Sequence, residues 1–158
     1  MSVAYLQTPL GIAYMEGDTH GIQVLSIKDG NVPLSNDPIP EDLAPAIRQL
    51  SDYFKGLRTT FDFPLNPQGT DFQKRVWEEL LNVPFGRTMS YLELSRRLGD
   101  EKAIRAVAAA NGKNPVWLVI PCHRIIGSDG SLTGYAGGLW RKKWLIEFEK
   151  GGLQGSLF

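Results

Sequence analysis

The texture of the chain changes at Asn66, Pro67, Gln68, Gly69, and this break constrains the fold more than any other feature. Before it, three stretches carry strand character, Val3 to Thr8, Gly11 to Glu16 and Gly21 to Lys28, separated by Pro9, Gly17 and an Asp29, Gly30 turn. That spacing predicts a meander of strands. A Pro-rich connection from Pro33 to Pro40 leads into a helix whose apolar stripe is Leu43, Ile47, Leu50 and Phe54, with Gly56 placed to end it. Phe61 to Leu65 reads as one more short strand.

After the break, helix start signals take over. Thr70 and Gln73 have capping-box spacing and open an amphipathic helix with Phe72, Val76 and Leu80 on one face, stopped by Pro84 and Gly86. Ser90 and Glu93 repeat the box for a short helix that Gly99 ends. Asp100 is placed to cap the next, which runs to Asn111 before Gly112 breaks it. Two short helices about a tight turn are the pattern of a helix-turn-helix. A last helix, Leu139 to Lys150, follows a Gly-rich loop. The expected architecture is α/β, with a strand meander and helix over residues 1–65 and a mostly helical domain over residues 70–158.

The chain of 158 residues is long enough to bury a real core, as one domain or two small ones. Nothing in it is long and apolar enough to span a membrane, and its start lacks a signal peptide, so a soluble, cytoplasmic monomer with no membrane partner is expected. Charge balances at 17 basic against 17 acidic residues, but unevenly: residues 1–69 hold 4 Lys/Arg and 8 Asp/Glu, the remainder 13 and 9. The basic half suits a polyanion, and opposite signs would also hold two halves together.

That basic half contains the single cysteine, in Ile120, Pro121, Cys122, His123, Arg124. A lone thiol forms no intrachain disulfide and no thiolate zinc cluster, so it is either a small buried hydrophobe or a reactive group. The thiolate is the nucleophile, and a nearby histidine can take the proton or stabilise the charge. Adjacent side chains often point apart, so a bridging water is a natural link between Cys122 and His123. Upstream stand Asn111, Gly112, Lys113, Asn114 and Pro115; downstream stand Ser128 and then Gly134, Tyr135, Ala136, Gly137, Gly138. The helix ending at Asn111 carries Ala103, Ala106, Val107 and Ala108 beside Lys102 and Arg105, small residues for close approach and charges for phosphates, although an alanine face equally suits helix packing.

The Asn-Pro, the apolar run, Pro-Cys-His-Arg and Tyr-x-Gly-Gly together resemble the O6-alkylguanine-DNA alkyltransferases over residues 69–151. The resemblance implies a DNA repair protein that flips the damaged base out of the duplex and transfers its alkyl group to Cys122 once, irreversibly, with no cofactor and no metal. It implies that His123 serves the thiol through a water, that Glu149 orients His123, and that Asn114 ties the helix-turn-helix to the Cys122 loop. Glu147 is a rival for the acid, because Phe148 stands where the family usually has histidine. By the same resemblance Tyr91 edges the base pocket, and the Tyr135, Ala136, Gly137 loop presents backbone N–H groups to it. The carbonyls of Cys122 and Ile125 accept from the base's amine, and Asn111 lies nearby. The second helix is expected in the minor groove of double-stranded DNA with little sequence preference. Arg105 would take the place of the extruded nucleotide, and Ser90, Lys102, Ala103, Ala106 and Ser128 would contact DNA. Three rivals remain: a lesion sensor without transfer, against which Cys122 argues; a helix-turn-helix regulator with a structural thiol; and a Cys-His hydrolase.

Overall fold

In the computed structural model, which describes residues 1–32 and 37–155, β1 (Ser2–Thr8), β2 (Gly11–Asp18) and β3 (Gly21–Lys28) form an antiparallel sheet in the order β1-β2-β3. Residues 33–36 of the expected Pro-rich connection lie outside the described residues. The register pairs Ala4 with Met15 and Leu6 with Ala13, then Met15 with Leu25 and Ala13 with Ile27. One face therefore collects the apolar residues, as a period of two requires. The other carries Tyr5 and Tyr14, edge to face at 5.5 Å.

Helix α1 (Ala44–Phe54) joins the same core through Ala46, Ile47, Leu50 and Tyr53. The stripe read from sequence ended on Phe54, which is only partly buried; Tyr53 is the enclosed ring, at 1 % exposure. The expected strand at Phe61 to Leu65 does not form. Only Leu65 bridges to Ile22, because Pro64 has no N–H to donate and the N–H of Asp62 is taken by the side chain of Gln49.

The outer edge of β3 is covered twice. Ile22 exchanges bonds with the carbonyl of Pro64 and the N–H of Asn66, and Leu25 does the same with Pro115 and Trp117, at 2.8–3.0 Å. An edge strand left open would be a template for other chains; here it anchors the segment that leads to Cys122.

Helix α2 (Asp71–Leu80) starts on a complete capping box: Thr70 Oγ1 accepts from the N–H of Gln73, and Gln73 Oε1 accepts from the N–H of Thr70. It buries Val76, Trp77 and Leu80, and Trp77 Nε1 donates to the carbonyl of Ala110. Helix α3 (Tyr91–Arg97) has half a box. Ser90 Oγ accepts from the N–H of Glu93, but the Glu93 carboxylate turns to Arg97, one helical turn on. After a 3₁₀ turn at Glu101–Ala103, capped by Asp100, α4 (Ile104–Gly112) runs through Gly112 rather than stopping before it. Helix α5 (Leu139–Gly155) continues past the expected end at Lys150.

Two strands too short to show any periodicity complete the fold. β4 (Met89–Ser90) pairs in parallel with β5 (Ile125–Ile126), tying the start of α3 to the residues after Cys122. Most of the buried apolar residues, from Ala4 to Leu145, form one continuous cluster. No helix among the described residues is long and apolar enough to cross a membrane.

Candidate active site

The segment between α4 and β5 is held by its neighbours before any chemistry is considered. β3 fixes Pro115 and Trp117, and Asn114 then closes the loop on itself: its Nδ2 donates to the carbonyl of Ile120 at 2.7 Å while its Oδ1 accepts from the N–H of Val116 at 2.9 Å. Within that loop Leu118 adopts φ 71°, a left-handed conformation rare for a branched side chain, and the Val119 N–H bonds to the carbonyl of Trp117 across it. The chain is thereby turned so that Cys122–Arg124 forms a buried 3₁₀ turn. The Cys122 carbonyl accepts from the Ile125 N–H and, at 3.4 Å, from Asn111 Nδ2 at the end of α4.

Burial dominates the thiol. It pushes Cys122 up to about 11, outweighing the hydrogen bond from Asn114 and the positive charge of Lys142, which pull the other way. Burial thus favours a resting thiol over the thiolate that a Cys-His pair suggests, because the Lys142 charge and the Asn114 hydrogen bond offset only part of the desolvation of a charged sulfur.

His123 is fully enclosed. Burial lowers its pKa below the ordinary 6.5, against the opposing pull of Glu149. The neutral ring places its hydrogen on Nε2, 2.9 Å from the acceptor-only Oε2 of Glu149, and leaves Nδ1 as an acceptor with no partner among the described residues. Glu149 is the centre of the group: Arg124 Nε and Nη2 donate to its two oxygens at 2.8 and 3.0 Å, and Tyr53 Oη donates at 2.6 Å. Burial alone would raise this carboxyl, but His123 and then Arg124 outweigh it and hold it at about 2. With the imidazole neutral, Arg124 keeps the acid ionised. Arg124 is fixed in turn by its Nη1 bond to the carbonyl of Val83. Glu147, the alternative acid, lies on the exposed face beside Lys143.

A pocket of about 520 Å³ is lined by Tyr91, by Ile104, Arg105, Ala108 and Gly112 of α4, and by Thr133 to Ala136. The parallel ladder of β4 and β5 brings Tyr91 here. Burial raises Tyr91 and Tyr135, and proximity to Cys122 raises both further, which sets the sulfur near these two pocket-lining rings. Tyr91 Oη and Lys142 Nζ both donate to the carbonyl of Thr133, at 3.1 and 2.8 Å. Tyr135 leans on Trp117 at 5.7 Å, and its hydroxyl, like Asn111 Oδ1, is buried without a hydrogen-bond partner among the described residues. Gly137 sits where a Cβ would strike the rings of Tyr135 and Trp117 at 2.7 and 2.9 Å.

Of the remaining candidates, Arg105, Lys102 and Ala106 are exposed on one end of the helix pair, Ala103 is half-buried, and Ser128 is exposed on the turn after β5. Ser90 spends its hydroxyl on the α3 cap, and the Ile125 side chain belongs to the core. Among the described residues no three His, Cys, Asp or Glu side chains gather as metal ligands would. Sequence reasoning missed Tyr53, 96 residues from the carboxylate it meets, and Lys142, fully buried within an Arg-Lys-Lys run that reads as a solvated face.

A lone buried thiol, a neutral imidazole and an enclosed carboxylate, set behind a pocket that a helix pair borders, define a protein built to do chemistry at sulfur. The pattern of "6-O-methylguanine DNA methyltransferase, DNA binding domain" matches residues 71–151. A Methanosarcina barkeri methylated-DNA–protein-cysteine methyltransferase is 41% identical over 156 residues, covering 94% of this chain and 97% of that protein. A Mycobacterium bovis protein of the same name is 50% identical over 113 residues, 72% of this chain and 68% of that one. Among solved structures, Mycobacterium tuberculosis OGT in complex with DNA superposes with a TM-score of 0.86 at 40% identity, covering 96% of this chain and 94% of that chain. The chain belongs to the methylated-DNA–protein-cysteine methyltransferase family.

The buried carboxylate sets a pH dependence. Glu149 is depressed from 4.5 to about 2, so its stabilisation is complete above pH 4.5 and lost as pH falls toward 2. His123, depressed below 6.5, also costs stability on acidification, since the unfolded chain takes up its proton first. Glu149→Gln should lose about 3–5 kcal/mol at pH 7, by stranding Arg124. Its stability should then fall less steeply than the parent's between pH 4.5 and 2. Urea unfolding across that range measures both; equal slopes would show that another group carries the acid transition.

Proposed function

We propose that the chain takes an alkyl group from O6 of guanine in DNA onto Cys122 and keeps it. What supports this reading is the buried group beside the pocket: a desolvated Cys122 thiol, and the adjacent His123, whose Nε2 meets Glu149 while its Nδ1 has no hydrogen-bond partner among the described residues. Sγ attacks the alkyl carbon in line with the C–O6 bond while the thiol proton passes through a bridging water to His123 Nδ1. The imidazolium so formed faces an ionised Glu149. Guanine departs with the electron pair of the broken bond, its oxygen or ring neutralised by a proton or hydrogen bond. The product is a thioether, which offers water no carbonyl to attack, and the sequence has no second cysteine to resolve it. One turnover per protein follows, with no cofactor. A Cys-His hydrolase would instead release its acyl group and turn over.

A guanine within a duplex does not reach a buried sulfur. It must be extruded, at a cost of about a few kcal/mol that a weakened pair reduces. In this reading α4 enters the minor groove, where its small residues allow close approach, and Arg105 fills the place the base leaves. Ser90, Lys102, Ala103, Ala106 and Ser128 lie against the backbone and grooves. Tyr91, the Tyr135, Ala136, Gly137 loop and the carbonyls of Cys122 and Ile125 hold the base, with Asn111 beside them. Asn114 keeps the Cys122 loop in place. Minor-groove readout is degenerate, so a monomer acts with little regard to sequence, whereas a helix-turn-helix regulator would select one.

Incubation with duplex DNA carrying O6-methylguanine should raise the intact mass by one methyl group, about 14 Da, on the peptide holding Cys122. Cys122→Ser should take up no methyl yet still bind DNA; methyl elsewhere, or more product than protein, would overturn the mechanism.

Arg105→Ala should slow repair of duplex far more than reaction with free O6-benzylguanine, since only the duplex requires extrusion. Parallel stopped-time assays on both substrates decide this, and equal slowing would move Arg105 into the pocket chemistry.

His123 as proton acceptor fixes the pH profile. The rate with free O6-benzylguanine should be flat from pH 7 to 9, where the ring is already neutral. His123→Gln should be slow at pH 7 and rise by about tenfold per pH unit as the thiol must ionise unaided. A parent that rises as steeply as the variant would remove His123 from the relay.

A further inference from the structure

Resting on the reading above, we infer that Arg141 is a positioning residue that fastens the pocket's glycine loop to the turns of the N-terminal sheet, so that this sheet sets how tightly the base is held. Arg141 stands in the first turn of α5 and is 7 % exposed. Its guanidinium spends every branch on a different element. Nη1 donates to the carbonyl of Gly137 at 2.9 Å, Nε to the carbonyl of Leu10 in the β1–β2 turn at 3.0 Å, and Nη2 to Asp29 just beyond β3 at 2.6 Å. Its face lies over Trp140 at 4.5 Å.

A guanidinium fork is planar and rigid, so three bonds to three elements fix their relative positions where a single ammonium would not. The two carbonyls lie in the buried part of the contact; Asp29 is 90 % exposed, so water screens that pair and it contributes little. The loop has no slack to absorb a shift. Gly137 is wedged between Tyr135 and Trp117, and Trp117 is itself bonded to Leu25 of β3. The next residue, Lys142, holds the other end of the loop through the carbonyl of Thr133. Arg141 touches neither Cys122, His123 nor Glu149, so its effect falls on binding of the base and not on the transfer step.

Single-turnover kinetics with free O6-benzylguanine separate the two. In Arg141→Met, which keeps the apolar stem, the half-saturating concentration should rise about tenfold, equivalent to about 1.4 kcal/mol, while the limiting rate stays within about twofold of the parent. Arg141→Lys should recover part of this, to about threefold, by reaching one carbonyl, and Asp29→Asn should stay within about twofold. Should Arg141→Met fail to fold, Arg141→Lys carries the test alone. The inference is overturned if Arg141→Met, or Arg141→Lys in its place, saturates at the parental concentration. It is equally overturned if the limiting rate falls as much as the affinity, or if Asp29→Asn is as damaging as Arg141→Met. A parent that acquires no benzyl group overturns the proposed function itself, and with it this inference; an active parent with an indifferent Arg141 overturns the inference alone.

Discussion

Glu149 is an ionised carboxylate inside the molecule, and the surrounding structure is what makes that tolerable. Taking such a group out of water costs several kcal/mol, which mutual attraction offsets only when every lone pair is met with good geometry. Here α1 supplies Tyr53, the 3₁₀ turn supplies His123 and both donors of Arg124, and the loop after α2 braces Arg124 through the carbonyl of Val83. Four parts of the chain, from residue 53 to residue 149, must be in register before the charge is satisfied. One of them, the 3₁₀ turn, also carries the thiol.

The consequence for reactivity is a sulfur that rests protonated. An exposed, low-pKa cysteine would be quicker to attack but also quicker to oxidise, and a single-use acceptor lost to oxidation is not recovered. Burial raises Cys122 to about 11, which disfavours the thiolate, and it lowers His123, which favours the neutral ring. Desolvation thus acts on two groups in one direction, disfavouring charge on each.

The N-terminal half contributes more than a lid to this arrangement. The edge of β3 bonds to Pro115 and Trp117, Tyr53 reaches the carboxylate, and Arg141 ties the β1–β2 turn to the glycine loop. The first holds the segment that leads to Cys122, the second meets the carboxylate bonded to His123, and the third meets the loop that lines the pocket. A sheet with no chemistry of its own is in this way continuous, through hydrogen bonds, with the walls of the site.

Much of this was open to reading in the sequence, because it depends on signals a few residues apart. Alternation gave the three strands to within two residues, the Thr70 and Gln73 box marked the start of α2, and a lone cysteine beside histidine marked where chemistry would sit. Where local signals conflicted with packing, packing prevailed: Pro64 and the Gln49 side chain abolished a strand at 61–65, and Tyr53 took the inward position expected of Phe54. Whether Glu147 or Glu149 faces His123 turns on the phase of α5, and residues two apart on a helix point to different sides. The protonation of Cys122 and the burial of Arg141 and Lys142 depend on partners up to 131 residues away, and desolvation has no sequence signature. The sequence alone determined the three-strand meander, the order of the helices and the candidate thiol; only the tertiary structure decided the short β4–β5 pair, the burial of the thiol and its neighbours, and the walls of the pocket, because burial is a property of what the rest of the chain brings near.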